Sequence, residues 1–169
     1  MDYSSVKKDI MNKQLKRFYI FTGEERFVLV KYVQKIVEVS GKTYKEVDKV
    51  SDCRDIGSSL FASASCYVCY DDKEFMSNEK AWDDIEDFIG EDNMLILVLT
   101  SVNKGSKFYK HFADSITVFD KLLDVILQTY VSRELQLSVD NAKYLIDICD
   151  HDMGRLMLEI DKIRRYADE

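Results

Sequence analysis

The sequence contains no proline, where average usage near ~5% would give about eight. Breaks between elements must therefore be read from Gly, Ser, Asn and Asp. Histidine is scarce too, with only His111 and His151. That leaves few ligands for a metal centre built on imidazole. The four cysteines, Cys53, Cys66, Cys69 and Cys149, show no disulfide-framework spacing and are expected as free thiols in a reducing cytosol. The longest apolar run, Met94 to Leu99, is far short of the ~20 residues that cross a bilayer. The opening Met1-Asp2-Tyr3-Ser4-Ser5-Val6-Lys7-Lys8 has no apolar h-region, so no secretory signal and a cytoplasmic location are expected. Net positive charge is also missing. Lys and Arg number 24 against 31 Asp and Glu, a net charge of -7. Such a chain gains nothing overall from phosphate electrostatics, which argues against autonomous DNA binding.

What is present is a core-forming chain. Its 169 residues are 46% hydrophobic and 33% charged, which excludes intrinsic disorder and allows one domain plus a small unit. Val6, Ile10 and Leu15 predict an amphipathic helix over 5–16. Phe18 to Phe21 predicts a strand ending at Thr22-Gly23. From Glu25, Phe27, Val30, Val33 and Val37 recur at helical spacing until Gly41. Tyr44 to Val50 reads as an edge strand, followed by a short helix from Ser51 or Asp52 to about Ala62. Cys66 to Tyr70 is a third strand. Asn78 or Glu79 opens a helix with Trp82, Ile85 and Ile89 on one face. Met94 to Thr100 has the unbroken apolar character of a central parallel strand. A helix near Gly105 to Phe112 and a fifth strand, Ile116 to Phe119, complete the pattern. This alternation predicts a three-layer α/β domain with a mostly parallel five-stranded sheet over residues 1–121.

After Lys121 the pattern is purely helical, which predicts an all-α unit over 122–169. Leu122, Ile126 and Tyr130 share one face. Ser138 caps a helix burying Ala142, Leu145, Ile146 and Cys149. Asp152 caps another with Leu156, Ile160 and Ile163 inward. A helical unit of about 48 residues is small, and the chain is expected to be a fragment of a longer protein.

The first strand, Gly23 and the following helix stand where phosphate-binding loops sit. A P-loop needs G-x-x-x-x-G-K-[ST]. Here Thr22-Gly23-Glu24-Glu25-Arg26 lacks the second Gly and the Lys-Ser/Thr pair, and two carboxylates face the place of the phosphates. The fourth strand ends in Leu99-Thr100-Ser101 with no Asp-Glu to hold Mg²⁺. Nucleotide hydrolysis is excluded on that count. Glu24 and Glu25 are expected to cap the helix and meet its positive end.

Three further constellations bear weighing. Cys66-Tyr67-Val68-Cys69 is a C-x-x-C, but on a strand its thiols point to opposite faces and cannot share a metal. Asp71, Thr100 and Lys121, with Glu24 and Glu25, all follow strand C-termini. A phosphoacceptor receiver domain uses these residue types, with Asp71 as acceptor. That alternative conflicts with Leu122 in the place of the usual Pro. Ser58-Ser59-Leu60-Phe61-Ala62-Ser63 sets two large apolar side chains about 100° apart on a helix. Burial of both in the core is the commoner outcome for such a pair, and exposure would make a docking patch.

Taken together, these residues resemble the delta subunit of the bacterial DNA polymerase III clamp loader. Tyr19-Ile20-Phe21-Thr22-Gly23-Glu24-Glu25 is similar to its opening strand and loop. Ser59-Leu60-Phe61-Ala62-Ser63 is similar to its clamp-docking segment. Asn93 to Val102 and Lys107-Phe108-Tyr109-Lys110 resemble the fourth strand and the basic helix after it. Leu137 to Ala142 and Asp152 to Ile163 resemble its lid helices. The resemblance implies an AAA+-like fold without ATPase parts, a lid, and a C-terminal collar that this chain is expected to lack. It implies a non-catalytic subunit with no cofactor. Its partners would be the sliding clamp (the beta subunit) and the other loader subunits, with DNA met only within the full complex and no membrane. The clamp-binding wedge would be Leu60 and Phe61, flanked by Ser58, Ser59, Ala62 and Ser63.

Overall fold

The structure, a computed structural model, describes residues 3–57 and 63–167. Two compact units are present, Met1–Phe119 and Asp120–Glu169. In the first, the elements run α1 (Ser4–Met11), β1 (Phe18–Thr22), α2 (Arg26–Ser40), β2 (Thr43–Val47), α3 (Asp52–Gly57), β3 (Ser65–Tyr70), α4 (Lys73–Ser77), α5 (Glu79–Trp82), α6 (Ile85–Ile89), β4 (Met94–Val98), α7 (Lys107–His111) and β5 (Ile116–Val118). The strands form a five-stranded sheet in the order β2-β3-β4-β1-β5, with every pairing parallel.

Period-two alternation sends successive residues of each strand into two separate cores. On one face Tyr19, Phe21, Cys66, Val68, Met94, Ile96 and Val98 pack against Val6 of α1 and Leu29, Val33 and Ile36 of α2. On the other, Ile20, Tyr67, Cys69, Leu95, Leu97 and Ile116 meet Val50, Cys53, Phe75, Trp82, Ile85, Ile89, Phe108 and Phe112. Because β4 is covered on both faces, all five of its residues are buried, as its apolar run requires. Each fully buried Leu, Ile or Val there contributes about 1.5–3 kcal/mol.

Several local details depart from the periodicity. The stripe in α2 is Leu29, Val33 and Ile36, not Phe27, Val30, Val33 and Val37, and Val30 is exposed. Lys31, Gln34, Lys35 and Glu38 form the polar face of this helix, and the buried stripe is the middle of the broad apolar arc opposite it, of which Val30 and Val37 are the margin. The first helix stops at Met11 because Asn12 ends it and Lys13 turns left-handed (φ 55°). Leu15 lies beyond that end yet still packs on the same core. The single helix expected after Asn78 is two short ones, α5 and α6, and a further short helix, α4, precedes Asn78. Asp72 caps α4 by accepting from the Phe75 amide, Asn78 leaves helical geometry at ψ 87°, and Gly90 (φ 75°) ends α6. The Trp82 indole donates to the Phe75 carbonyl at 2.8 Å, tying α5 to α4.

The second unit comprises α8 (Asp124–Leu135), α9 (Val139–Ile148) and α10 (Met153–Ala167). Its core is Leu127, Val131, Ala142, Ile146, Cys149, Leu156 and Ile160. Ser138 Oγ caps α9 through the Asn141 amide, and Asp152 Oδ1 accepts from the Arg155 amide at 2.7 Å. The buried side of α8 is Leu127 and Val131, one position on from the expected Ile126, which is exposed. Ile163 is likewise at the surface of α10.

Candidate functional site

In this strand order β1 and β4 are neighbours whose following helices, α2 and α7, cover opposite faces of the sheet. The crevice beyond their C-terminal ends is the topological switch point where α/β folds take ligands. Thr22, Gly23, Glu24, Glu25 and Arg26 come together there with Leu99, and all of them are tied into the fold. The Phe119 amide donates to the Thr22 carbonyl at 2.7 Å, and the Glu25 amide donates back to the Phe119 carbonyl at 2.9 Å. The Arg26 amide donates to the Glu24 carbonyl at 2.9 Å. Arg26 Nη1 reaches across to the Leu99 carbonyl at 3.3 Å. Gly23 has φ +128°, and a Cβ there would stand 2.2 Å from the Phe119 carbonyl oxygen. The loop is therefore closed onto the end of β5.

A phosphate cradle needs several backbone N–H groups aimed outward together. Here the Glu25 and Arg26 amides are already committed to carbonyls, and the side chains at 24 and 25 bring carboxyl oxygens rather than N–H donors. Glu25 occupies the N-cap of α2 and is buried, with no side-chain capping hydrogen bond. The expected capping is positional only: the Glu25 carbonyl accepts from the Leu29 amide at 3.0 Å. Phe119 and Arg26, which complete the closure, carry no signal in the sequence that would single them out.

At the ends of β3 and β4 the two aspartates are also occupied. Asp71 is left-handed (φ 49°) and its amide donates to the Val98 carbonyl at 3.0 Å. Its carboxylate accepts from both the amide and the hydroxyl of Thr100, each at 2.6 Å. Asp72 is buried, accepting from the Phe75 amide at 2.9 Å and the Val50 amide at 2.8 Å. Lys121 belongs to the second unit. The phosphoacceptor alternative fares poorly on topology as well. Receiver-type sheets run 2-1-3-4-5, which places β1 beside β2 and β3. Here β1 lies between β4 and β5.

Cys66 and Cys69 face the two different cores. Burial pushes the Cys66 thiol up to about 11, and those of Cys53 and Cys69 up to about 12. All three rest as neutral thiols rather than nucleophiles.

Of the docking segment, Ser58, Ser59, Leu60, Phe61 and Ala62 lie outside the described residues. Ser63 is exposed, with its Oγ 3.3 Å from Thr43 Oγ1 and its carbonyl accepting from Ser65 Oγ at 3.0 Å. The Ala64 carbonyl accepts from the Thr43 amide at 3.1 Å. Ser63 and Ala64 lead into β3 at the N-terminal edge of the sheet, the edge opposite the closed loop. Among the described residues, no helix is long and apolar enough to cross a membrane.

No family model matches the sequence, and no curated protein matches it. Solved structures do. The DNA clamp loader delta protein of Bacillus subtilis superposes with a TM-score of 0.64 at 11% identity, covering 97% of this chain and 57% of that one. Two variants of RuvB from Thermotoga maritima superpose with TM-scores of 0.59 and 0.54, at 12% and 14% identity. Each covers 96% of this chain and 59% of the RuvB chain, so this chain spans little more than half the length of its structural neighbours. The fold is an AAA+-like α/β fold, as the resemblance implied.

Proposed function

We propose that this chain works as a delta-type clamp-loader subunit, which binds a ring-shaped DNA sliding clamp and favours its opened form without hydrolysing ATP. The observation that carries the proposal is the closed loop at Gly23. An AAA+-like sheet is present, yet the phosphate position is sealed by the Phe119 backbone and followed in the chain by Glu24 and Glu25. Such a chain acts through contact rather than nucleotide chemistry. The likeness to the Bacillus subtilis delta protein over 97% of the chain supports the same reading. The unit up to Phe119 takes the part of the α/β domain and the unit from Asp120 that of the lid. A cytoplasmic setting, with other loader subunits as partners and DNA met through the assembly, goes with this role.

Leu60 and Phe61 are the proposed wedge, with Ser58, Ser59, Ala62 and Ser63 small enough beside them to leave it accessible. A wedge that binds the open ring better than the closed one shifts the population towards open. Burying a Leu and a Phe in a clamp pocket is worth roughly 3–6 kcal/mol together. The double variant Leu60→Ala, Phe61→Ala should then lose about 10²–10⁴-fold in clamp affinity. A pull-down and surface binding titration with a sliding clamp, run beside a thermal melt, tests this. Lost binding with an unchanged melt supports the wedge. Unchanged binding overturns it. A collapsed melt returns the pair to the core.

A further inference from the structure

The negative charge of this protein is unevenly placed. Between residues 3 and 42 there are nine Lys and Arg against four Asp and Glu, in a chain whose net charge is -7. This basic stretch contains α1 and α2, which pack together on the face of the sheet away from α3. Between them runs a groove of about 440 Å³ lined by Lys7, Ile10, Met11, Lys31, Tyr32 and Lys35. Its floor is apolar and its rim is cationic. Met11 is 71% exposed, an unbranched and adaptable side chain left in water. Tyr32 is held from below by edge contacts with Tyr3 at 5.8 Å and Phe119 at 5.3 Å. Lys31 lies over the Phe27 ring at 5.5 Å, and Lys35 is paired with Glu38 at 2.9 Å. Among the described residues, Lys7 and Lys31 have no ion-pair partner within 4 Å.

We propose that this groove docks an acidic amphipathic helix of a partner protein, its apolar stripe on Ile10, Met11 and Tyr32 and its carboxylates against Lys7 and Lys31. Shape and charge together select this occupant. A nucleic acid would use the lysines but leave the apolar floor unsatisfied, and Tyr32 is held edge-on in its own cluster rather than offered for stacking. A membrane surface needs a protruding apolar face, whereas this one is recessed between two helices. A helical rod with leucines at i, i+4 and i+7 presents one apolar stripe and two acidic flanks, which matches a groove walled by lysines on both helices. The groove is built from α1 and α2 alone, and the proposal stands whether or not the chain binds a clamp.

The test is fluorescence anisotropy with the whole 169-residue chain. The probe is a fluorescein-labelled helical peptide with leucines at i, i+4 and i+7 and glutamates elsewhere. Saturable binding is expected on the order of 10–100 μM, weakening as salt rises. The double variant Lys7→Glu, Lys31→Glu should weaken it at least about tenfold, and Lys7→Arg, Lys31→Arg should retain it. Met11→Asp should weaken it by a comparable factor with an unchanged melt, since that side chain is exposed. Equal binding of a scrambled peptide of the same composition would overturn the proposal. So would preference for a lysine-for-glutamate peptide, no saturable binding, or tighter lysine-dependent binding of duplex DNA or anionic vesicles.

Discussion

Replacing Gly23 by alanine tests the closure of the phosphate position directly. The backbone there has φ +128°, which L side chains rarely adopt, and the new Cβ would sit 2.2 Å from the Phe119 carbonyl oxygen and 2.6 Å from its carbon and nitrogen. No rotamer relieves a clash with backbone. The Thr22–Phe119 and Glu25–Phe119 hydrogen bonds that fasten the loop to β5 must shift instead. Strain in a disfavoured backbone region costs about 1–3 kcal/mol, and overpacking a closed contact costs about 1–3 more. A loss of roughly 2–6 kcal/mol follows, a large share of the ~5–15 that keeps a domain folded. Gly41 supplies the control, since it is also left-handed (φ +65°) but has nothing within 4 Å of an added Cβ. Gly41→Ala should cost only about 1–2 kcal/mol for the left-handed backbone. Urea unfolding read by tryptophan fluorescence separates the two, because Trp82 is the only tryptophan and is buried in the first unit. With a slope of about 2 kcal/mol per molar urea, the Gly23→Ala midpoint should fall by ~1–3 M. A Gly23→Ala protein within about 0.5 kcal/mol of the parent would refute the reasoning. A costlier Gly41→Ala would refute it as well.

Calorimetry with Mg-ATP should give no binding heat, and a micromolar dissociation constant would contradict the sealed loop at Gly23, Glu24 and Glu25. Beryllofluoride with Mg²⁺ should leave amide NMR shifts at Asp71 and Thr100 in place, because that carboxylate is already held by Thr100; a localised set of shifts would restore the phosphoacceptor reading. Thr100→Val removes one of those bonds and should cost about 0.5–1.5 kcal/mol in denaturant unfolding. Finally, stability should fall above pH 9. Cys53, Cys66 and Cys69 keep their protons to about 11–12 when folded but ionise near the ordinary thiol value of 9.0 when unfolded. The unfolded state then binds fewer protons, so unfolding gains up to roughly 4 kcal/mol per pH unit from the three together. A flat stability from pH 9 to 11 would contradict their burial, and Cys66→Ala should shallow the slope.

Much of this architecture was legible because its signals are local. Short apolar runs mark Phe18 to Phe21 and Cys66 to Tyr70 as strands, and the period of two on a strand already splits Cys66 from Cys69 across the sheet. The apolar run at Met94 announces a strand covered on both sides. Gly41, Ser138 and Asp152 act on amides or turns within a few residues of themselves, so their capping and stop roles can be read in place. Gly23 and the carboxylates after it could likewise be recognised as a spoiled phosphate loop from their own types and spacing.

Other features belong to tertiary structure because their causes are distant in sequence. Which part of the broad apolar arc of α2 is buried is set by the sheet under it, since Val28, Leu29, Tyr32, Val33, Ile36 and Val37 all lie on that arc and only some of them reach the strands. The break at Asn78 is held by Trp82 reaching back to Phe75. The order β2-β3-β4-β1-β5 decides which strand ends are neighbours, and with it separates an AAA+-like sheet from a receiver. Asp71 looks available beside its own strand and is spent on Thr100 only once β3 and β4 pair. The sequence by itself determined that the loop after β1 lacks the groups to hold a phosphate. Only the folded chain decided that the loop is also closed, because the carbonyl that fills it belongs to Phe119 and arrives there when β5 pairs beside β1.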